Sequence, residues 1–137
     1  HGVNCRGAMG SGVAKAILDK YPQVKEGYKR YYHFVTDLSN SDEALLGSVQ
    51  AVTLPDGKTV HNCFTQLNFG YDGQKYLSYE AILKCFKQLK DRAICNGMTQ
   101  LAIPKIGCGL AGGKWEVVEE LINEATGDEL EIWVYEL

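Results

Sequence analysis

Hydrophobic and polar positions change period several times along the chain, and each change marks the edge of an element. His1-Gly2-Val3-Asn4-Cys5 reads as a strand. Beyond a glycine-bearing stretch, Val13, Ala14, Ile17 and Leu18 recur at helical spacing, which predicts a short helix over residues 13–20. Pro22 suits the first turn of a second helix, because the N–H it lacks has no partner there and its φ is already helical. That helix is expected to run to about Tyr32. Val24, Tyr28, Tyr31 and Tyr32 fall on one side of it; the tyrosines admit a base-stacking role, but aromatic residues at helical spacing favour core. The turn-forming residues from Asp37 to Glu43 predict a polar connector. From Leu46 the period drops to two. Val49, Ala51 and Thr53 alternate with Gln50, Val52 and Leu54; Pro55-Asp56-Gly57-Lys58 supplies a turn, and Thr59 to Thr65 returns as the second strand of a hairpin. His61 falls in that return strand and is read as structural.

Residues 78–96 carry the clearest helical pattern, with Ser78 as N-cap, Ile82, Cys85, Phe86 and Leu89 on the apolar face, and Asn96-Gly97 as the stop. The short apolar run Leu101-Ala102-Ile103 suits a strand buried on both faces, ended by Pro104. Trp115, Val118, Leu121 and Ile122 then recur at helical spacing, and Leu130 to Tyr135 reads as a last strand. Strands and helices alternating in this way predict an α/β fold with a mixed, mostly parallel sheet covered on both faces. Ligands of such sheets sit beyond the carboxyl ends of the strands.

Two glycine-dense stretches fall at such ends: Gly7-Ala8-Met9-Gly10-Ser11-Gly12 and Gly107-Cys108-Gly109-Leu110-Ala111-Gly112-Gly113. A strand, a glycine loop and a helix in that order gather free backbone N–H groups and the positive end of a helix dipole at one point, which attracts anions. Two such loops can clamp a diphosphate; ordinary tight turns with no ligand are the competing reading. Neither loop ends in Gly-Lys-Ser/Thr, and Gly7, Gly10 and Gly12 give G-x-x-G-x-G, so triphosphate hydrolysis and hydride transfer fall away. Thr65-Gln66-Leu67-Asn68-Phe69-Gly70-Tyr71 follows a strand as a polar and aromatic loop, with Asn68, Phe69 and Tyr71 placed to close over a sugar or base or to form plain surface.

Composition narrows these readings. The length of 137 residues fits one domain spanning the chain, and no apolar run approaches the roughly 20 residues of a membrane helix. A net charge of −3 argues against general nucleic-acid binding and leaves phosphate recognition to backbone dipoles. Lys15 and Lys20 are read as solvated surface charges. The five cysteines are scattered with no C-x-x-C pair, which points to a reducing, cytoplasmic setting and to small buried hydrophobes; no zinc spacing exists among Cys and His, and no metal or cofactor is expected. The chain opens directly in strand-like sequence and its only methionines are Met9 and Met98, so residues are expected to precede His1. No secretory signal is visible.

The residues resemble the macrodomains, modules that bind ADP-ribose. Asn4, Gly10-Ser11-Gly12-Val13-Ala14 and Pro104-Lys105-Ile106-Gly107-Cys108-Gly109-Leu110 are similar to that family's first and second phosphate loops. His1-Gly2-Val3-Asn4-Cys5-Arg6-Gly7, Phe64-Thr65 with Phe69-Gly70, and Trp115 with Val134-Tyr135 are most similar to its ADP-ribose 1″-phosphate phosphatases. The resemblance implies a three-layer α/β/α fold, here lacking the family's opening strand, and a monomer acting on ADP-ribose or its 1″-phosphate. By the same resemblance Asn4 holds the distal ribose. Gly10, Ser11, Gly12 and Val13 with Ile106, Gly107, Cys108, Gly109, Leu110 and Ala111 wrap the diphosphate. Asn68, Phe69, Gly70 and Tyr71 border the distal ribose and its 1″ substituent. His1 matches a histidine implicated in the phosphatase branch as general acid or base. In an unbroken strand His1 and Asn4 point to opposite faces, so either the strand breaks near Asn4 or His1 supports the site from behind or from the core. Ala111 stands where protein-directed ADP-ribosyl hydrolases often carry an aspartate, which ranks action on ADP-ribosylated macromolecules below dephosphorylation and simple binding. The family's adenine-binding acidic residue comes from an opening strand that would precede His1, so the resemblance assigns adenine recognition to none of these residues.

Overall fold

The computed structural model describes residues 1–10 and 12–136; Ser11 lies outside the described residues. In chain order the elements are β1 (Gly2–Asn4), α1 (Gly12–Lys20), α2 (Pro22–Ser39), a single 3-10 turn (Glu43–Leu45), β2 (Val49–Thr53), β3 (Thr59–Gln66), α3 (Tyr79–Cys95), β4 (Gln100–Ile103), α4 (Trp115–Thr126) and β5 (Glu131–Val134). The strands pair in the order β1-β3-β2, with β4 and β5 pairing beside each other. The β1–β3 and β4–β5 ladders are parallel and β2–β3 is antiparallel, so the expected mixed and mostly parallel pairing is present.

Strand periodicity explains the layering. Neighbouring residues of β3 point to opposite faces, and Cys63 and Phe64 accordingly enter different cores. Cys63 joins Ile82, Cys85 and Phe86 of α3 and Val118 and Ile122 of α4 on one face. Phe64 joins Val3 of β1 and Val24 and Tyr28 of α2 on the other. Its ring lies 5.6 Å from that of Tyr28 and 5.7 Å from that of Tyr31, so Tyr28 is core and Tyr31 and Tyr32 pack half-buried against it.

Two expectations require correction. The helix opened by Pro22 does not stop near Tyr32 but continues through Asp37, Leu38 and Ser39. Val35 extends the apolar side toward the Phe64 core, and Thr36 and Ser39 turn their hydroxyls onto the Tyr32 and Val35 carbonyls (2.8 and 2.6 Å). Asn40, with φ of 55°, ends it in the left-handed conformation that asparagine tolerates. The run at Leu101-Ala102-Ile103 is not buried on both faces. Ile103 is buried, but Ala102 is exposed and Trp133 beside it on β5 is 48% exposed. The reason is lateral: the core built on α1 and α2 takes its strand partners from β1, β2 and β3. The boundaries of α3 follow its caps, with the Ala81 N–H donating to Ser78 Oγ at 3.2 Å and Gly97 at φ of 67°.

His61 behaves as a structural histidine. Burial, reinforced by the charges of the N-terminus and Arg92, pushes its imidazole down from 6.5 to about 4. Between those values the unfolded chain binds more protons than the folded one, so stability present above pH 6.5 drains away as pH falls toward 4. Urea midpoints measured across this window are expected to fall with acidity in the wild type and to fall less steeply in His61→Gln; parallel profiles would count against this account.

Candidate functional site

The site begins where β1 ends. Val3 pairs with Phe64 but Asn4 pairs with Gln66, so the register skips one residue at this point. Such a bulge re-aims a side chain at the end of a strand. The Asn4 carboxamide is 7% exposed and organises the turn that follows. Its Oδ1 accepts from the Arg6 N–H (2.9 Å), the Ala8 N–H (3.3 Å) and the Tyr28 hydroxyl (3.0 Å), while its Nδ2 donates to the Ala8 carbonyl (2.8 Å). An ion pair between Arg6 and Asp42 holds the outside of the turn.

Beyond that turn the chain enters α1 at Gly12 with no acidic residue in its first turn. The first N–H groups of a helix have no acceptor within it, and they carry the positive end of its dipole. The second loop leaves β4 at Pro104 and is knitted by its own backbone: Gly113 N–H donates to the Gly107 carbonyl (2.8 Å), and Gly112 N–H to that of Gly109 (3.1 Å). The Ala111 carbonyl accepts from both Tyr76 and Leu77 N–H groups, at 2.7 and 3.1 Å, which ties the loop to the segment leading into α3. Among the described residues the N–H groups of Gly107, Gly109, Leu110 and Ala111 donate to no protein acceptor.

The two loops face one cleft of about 320 Å³. Asn4, Gly10, Gly12 and Val13 line it from the β1–α1 side, Gly107, Gly109, Leu110 and Ala111 from the loop after β4, and Phe69, Gly70 and Tyr71 from the loop after β3. Both exposed aromatics, Phe69 and Tyr71, stand at its edge. Tyr76 braces their loop by donating its hydroxyl to Asp72 at 2.8 Å, an interaction that also holds the Asp72 carboxyl below its ordinary range.

Four expected residues stand elsewhere. His1 precedes β1 and is not among the residues lining the cleft. Its Nε2 lies 2.6 Å from Asn62 Oδ1, and Asn62 in turn donates to Gln50 Oε1 at 2.7 Å. The bulge at Asn4 breaks the strand on the far side of Val3 and does not swing the imidazole round, so His1 stands beside Asn62 and not among the lining residues. Asn68 spends its carbonyl on the Phe69 N–H at 2.9 Å, shaping the turn instead of lining the cleft. Ile106 is buried in the α3–α4 core, and Cys108 turns its thiol to the Ile106 carbonyl at 3.4 Å. Burial raises the Cys108 thiol above its ordinary range and pushes Cys5 up to about 12, so neither is a thiolate at neutral pH. Ser11 falls outside the described residues.

Sequence reading passed over several lining residues, notably Gly2, Gln66 and Lys105. Gly2 had a visible signal, a glycine inside a strand, which marks close approach; a Cβ there would stand 2.7 Å from Thr65 Oγ1. Gln66 continues β3 one residue past the expected end. Lys105 lines the cleft with its ammonium 2.6 Å from Glu136 Oε1, a partner that raises the lysine pKa above its ordinary value. The described lining residues include no carboxylate, imidazole or thiol, and the described residues hold no cluster able to ligate a metal. The arrangement is therefore built to bind an elongated anion through main-chain donors.

Comparison with known proteins agrees with this geometry. The chain is 29% identical over 135 residues to the ADP-ribose glycohydrolase OARD1 of Homo sapiens, covering 98% of this chain and 76% of that protein. It is 28% identical over 142 residues to the ADP-ribose 1″-phosphate phosphatase of Lodderomyces elongisporus, covering 98% and 83% respectively. A solved macrodomain protein from Streptomyces coelicolor superposes with a TM-score of 0.77 at 31% identity, over 98% of this chain and 84% of that one. The Macro domain family model matches residues 1–122, and the chain belongs to the macrodomain family.

Proposed function

We propose that the protein binds ADP-ribose in the cleft between its two glycine loops and removes the phosphate of ADP-ribose 1″-phosphate. The observation that carries this reading is the pair of loops opposed across one cleft, the second with N–H groups free of protein acceptors. Main-chain donors and the amino end of α1 neutralise the diphosphate. Asn4 lies against the distal ribose, and Phe69 and Tyr71 border its 1″ position. Dephosphorylation then runs by attack of water on phosphorus: a new P–O bond forms, the bond to the 1″ oxygen breaks, and that oxygen takes up a proton. Preorganised N–H donors stabilise the charge that develops on the phosphoryl oxygens. The relatives named as ADP-ribose 1″-phosphate phosphatases support the assignment.

A second reading, a non-catalytic ADP-ribose reader, is favoured by the lack of a carboxylate or imidazole among the described lining residues. Hydrolysis of ADP-ribosylated macromolecules ranks third, because Ala111 offers no acid at the second loop. Calorimetry with ADP-ribose and phosphate release from ADP-ribose 1″-phosphate separate these outcomes. We expect binding together with release; binding without release selects the reader, and no binding overturns all three. We further read residues 1–137 as one domain acting as a cytoplasmic monomer. Supporting the single domain, neighbouring residues of β3 enter both core clusters, Cys63 the one on α3 and α4 and Phe64 the one on α2, and supporting a reducing compartment, the described thiols are unbridged.

A further inference from the structure

We propose that Tyr28 is a positioning residue that locks the Asn4 carboxamide in one orientation, so that Asn4 presents the cleft with an N–H donor and not with its carbonyl oxygen. The inference rests on the reading of the cleft as the ADP-ribose site, but its structural grounds are independent of that reading. A carboxamide offers one acceptor oxygen with two lone pairs and two N–H donors. At Asn4 the two lone pairs of the oxygen are met by the Arg6 and Ala8 N–H groups, and the Tyr28 hydroxyl shares its single hydrogen between that oxygen and the Asn4 main-chain carbonyl. One Nδ2 hydrogen goes to the Ala8 carbonyl, and among the described residues the other has no acceptor, on a side chain that lines the cleft.

Tyr28 adds what the loop amides do not. Its hydroxyl lies 2.7 Å from the Asn4 main-chain carbonyl as well as 3.0 Å from Oδ1, and so bridges backbone to side chain at the bulge, where the ladder with β3 is interrupted. The phenol is itself immobilised, fully buried and stacked on Phe64. Burial raises its pKa, so it remains a proton donor throughout the neutral range. Helix α2 thereby sets the hydrogen-bonding polarity of the cleft from behind, and the ligand atom facing Asn4 is an acceptor, a hydroxyl or phosphate oxygen.

Tyr28→Phe deletes the hydroxyl and keeps the ring. Calorimetry is expected to show ADP-ribose binding roughly three- to tenfold weaker, the range of one lost hydrogen bond, with affinity for ADP, which lacks the distal ribose, unchanged. Equal losses for both ligands mark a merely structural residue and overturn the proposal, as does no loss at all. If the wild type binds neither ligand, the reading of the cleft fails, and the side-chain amide spectrum of Asn4 tests Tyr28 alone. The Nδ2 proton held by the Ala8 carbonyl should exchange with solvent slowly in the wild type and faster in the variant, and identical exchange rates overturn the lock. Should the variant fail to fold, the wild type decides: on addition of ADP-ribose one Asn4 amide proton shifts while the one held by Ala8 stays. Movement of both sinks the idea.

Discussion

Gly109→Val is expected to abolish ADP-ribose binding while leaving the fold intact. Gly109 lines the cleft, no atom lies within 4 Å of where its Cβ would stand, and it is not among the glycines at positive φ. A branched side chain therefore meets no resistance from the protein and enters space that the diphosphate needs. Loss of close approach to the main-chain donors costs more than one hydrogen bond, and the affinity should fall at least about a hundredfold, or about 2.7 kcal/mol. Calorimetry reads the loss and thermal unfolding supplies the control, with the melting temperature unmoved. Gly10→Val shares the same surroundings, open space beside a cleft-lining glycine, and should behave alike. Binding that survives in both variants removes the loops from the site.

Two residues away the same substitution should strike the fold. Gly107 has φ of 76°, and a Cβ there would stand 2.5 Å from Leu77 Cδ1. Leu77 cannot retreat easily, being buried in the α3–α4 core with its N–H bonded to the Ala111 carbonyl at 3.1 Å. In Gly107→Val a β-branched residue in the left-handed region costs about 1–2 kcal/mol, and overpacking adds about 1–3 kcal/mol. The sum is about 3 kcal/mol of stability, which for a domain of this size lowers the melting temperature by about 10 °C. Differential scanning calorimetry checks it; an unchanged melting temperature would show that the loop yields at no cost. The contrast between the two variants separates what the loop does for the ligand from what it does for the fold.

Much of this was legible in the residues themselves. Ser78 and Asn96-Gly97 announced α3 because caps are local chemistry, and Pro55-Asp56-Gly57-Lys58 announced the β2–β3 hairpin for the same reason. The end of α2 was missed because Asp37, Leu38 and Ser39 read as connector while their helical hydrogen bonds and the packing of Val35 depend on neighbours far away in sequence. The exposed outer face of β4 and β5 was missed likewise: an apolar run looks the same whether one face or both are covered.

What the sequence alone determined are the elements, their caps and turns, and two glycine loops set to gather N–H donors at strand ends, because each depends on contacts within a few residues. Only the tertiary structure decided that the loops share one cleft, that His1 turns to Asn62, and that Tyr28 reaches Asn4 from α2. The reach of Tyr28 to Asn4 accompanies the register skip there, while the pairing of Gly2 with Cys63 puts His1 beside Asn62. A shift of one residue along a strand exchanges its two faces, and no local pattern records that choice.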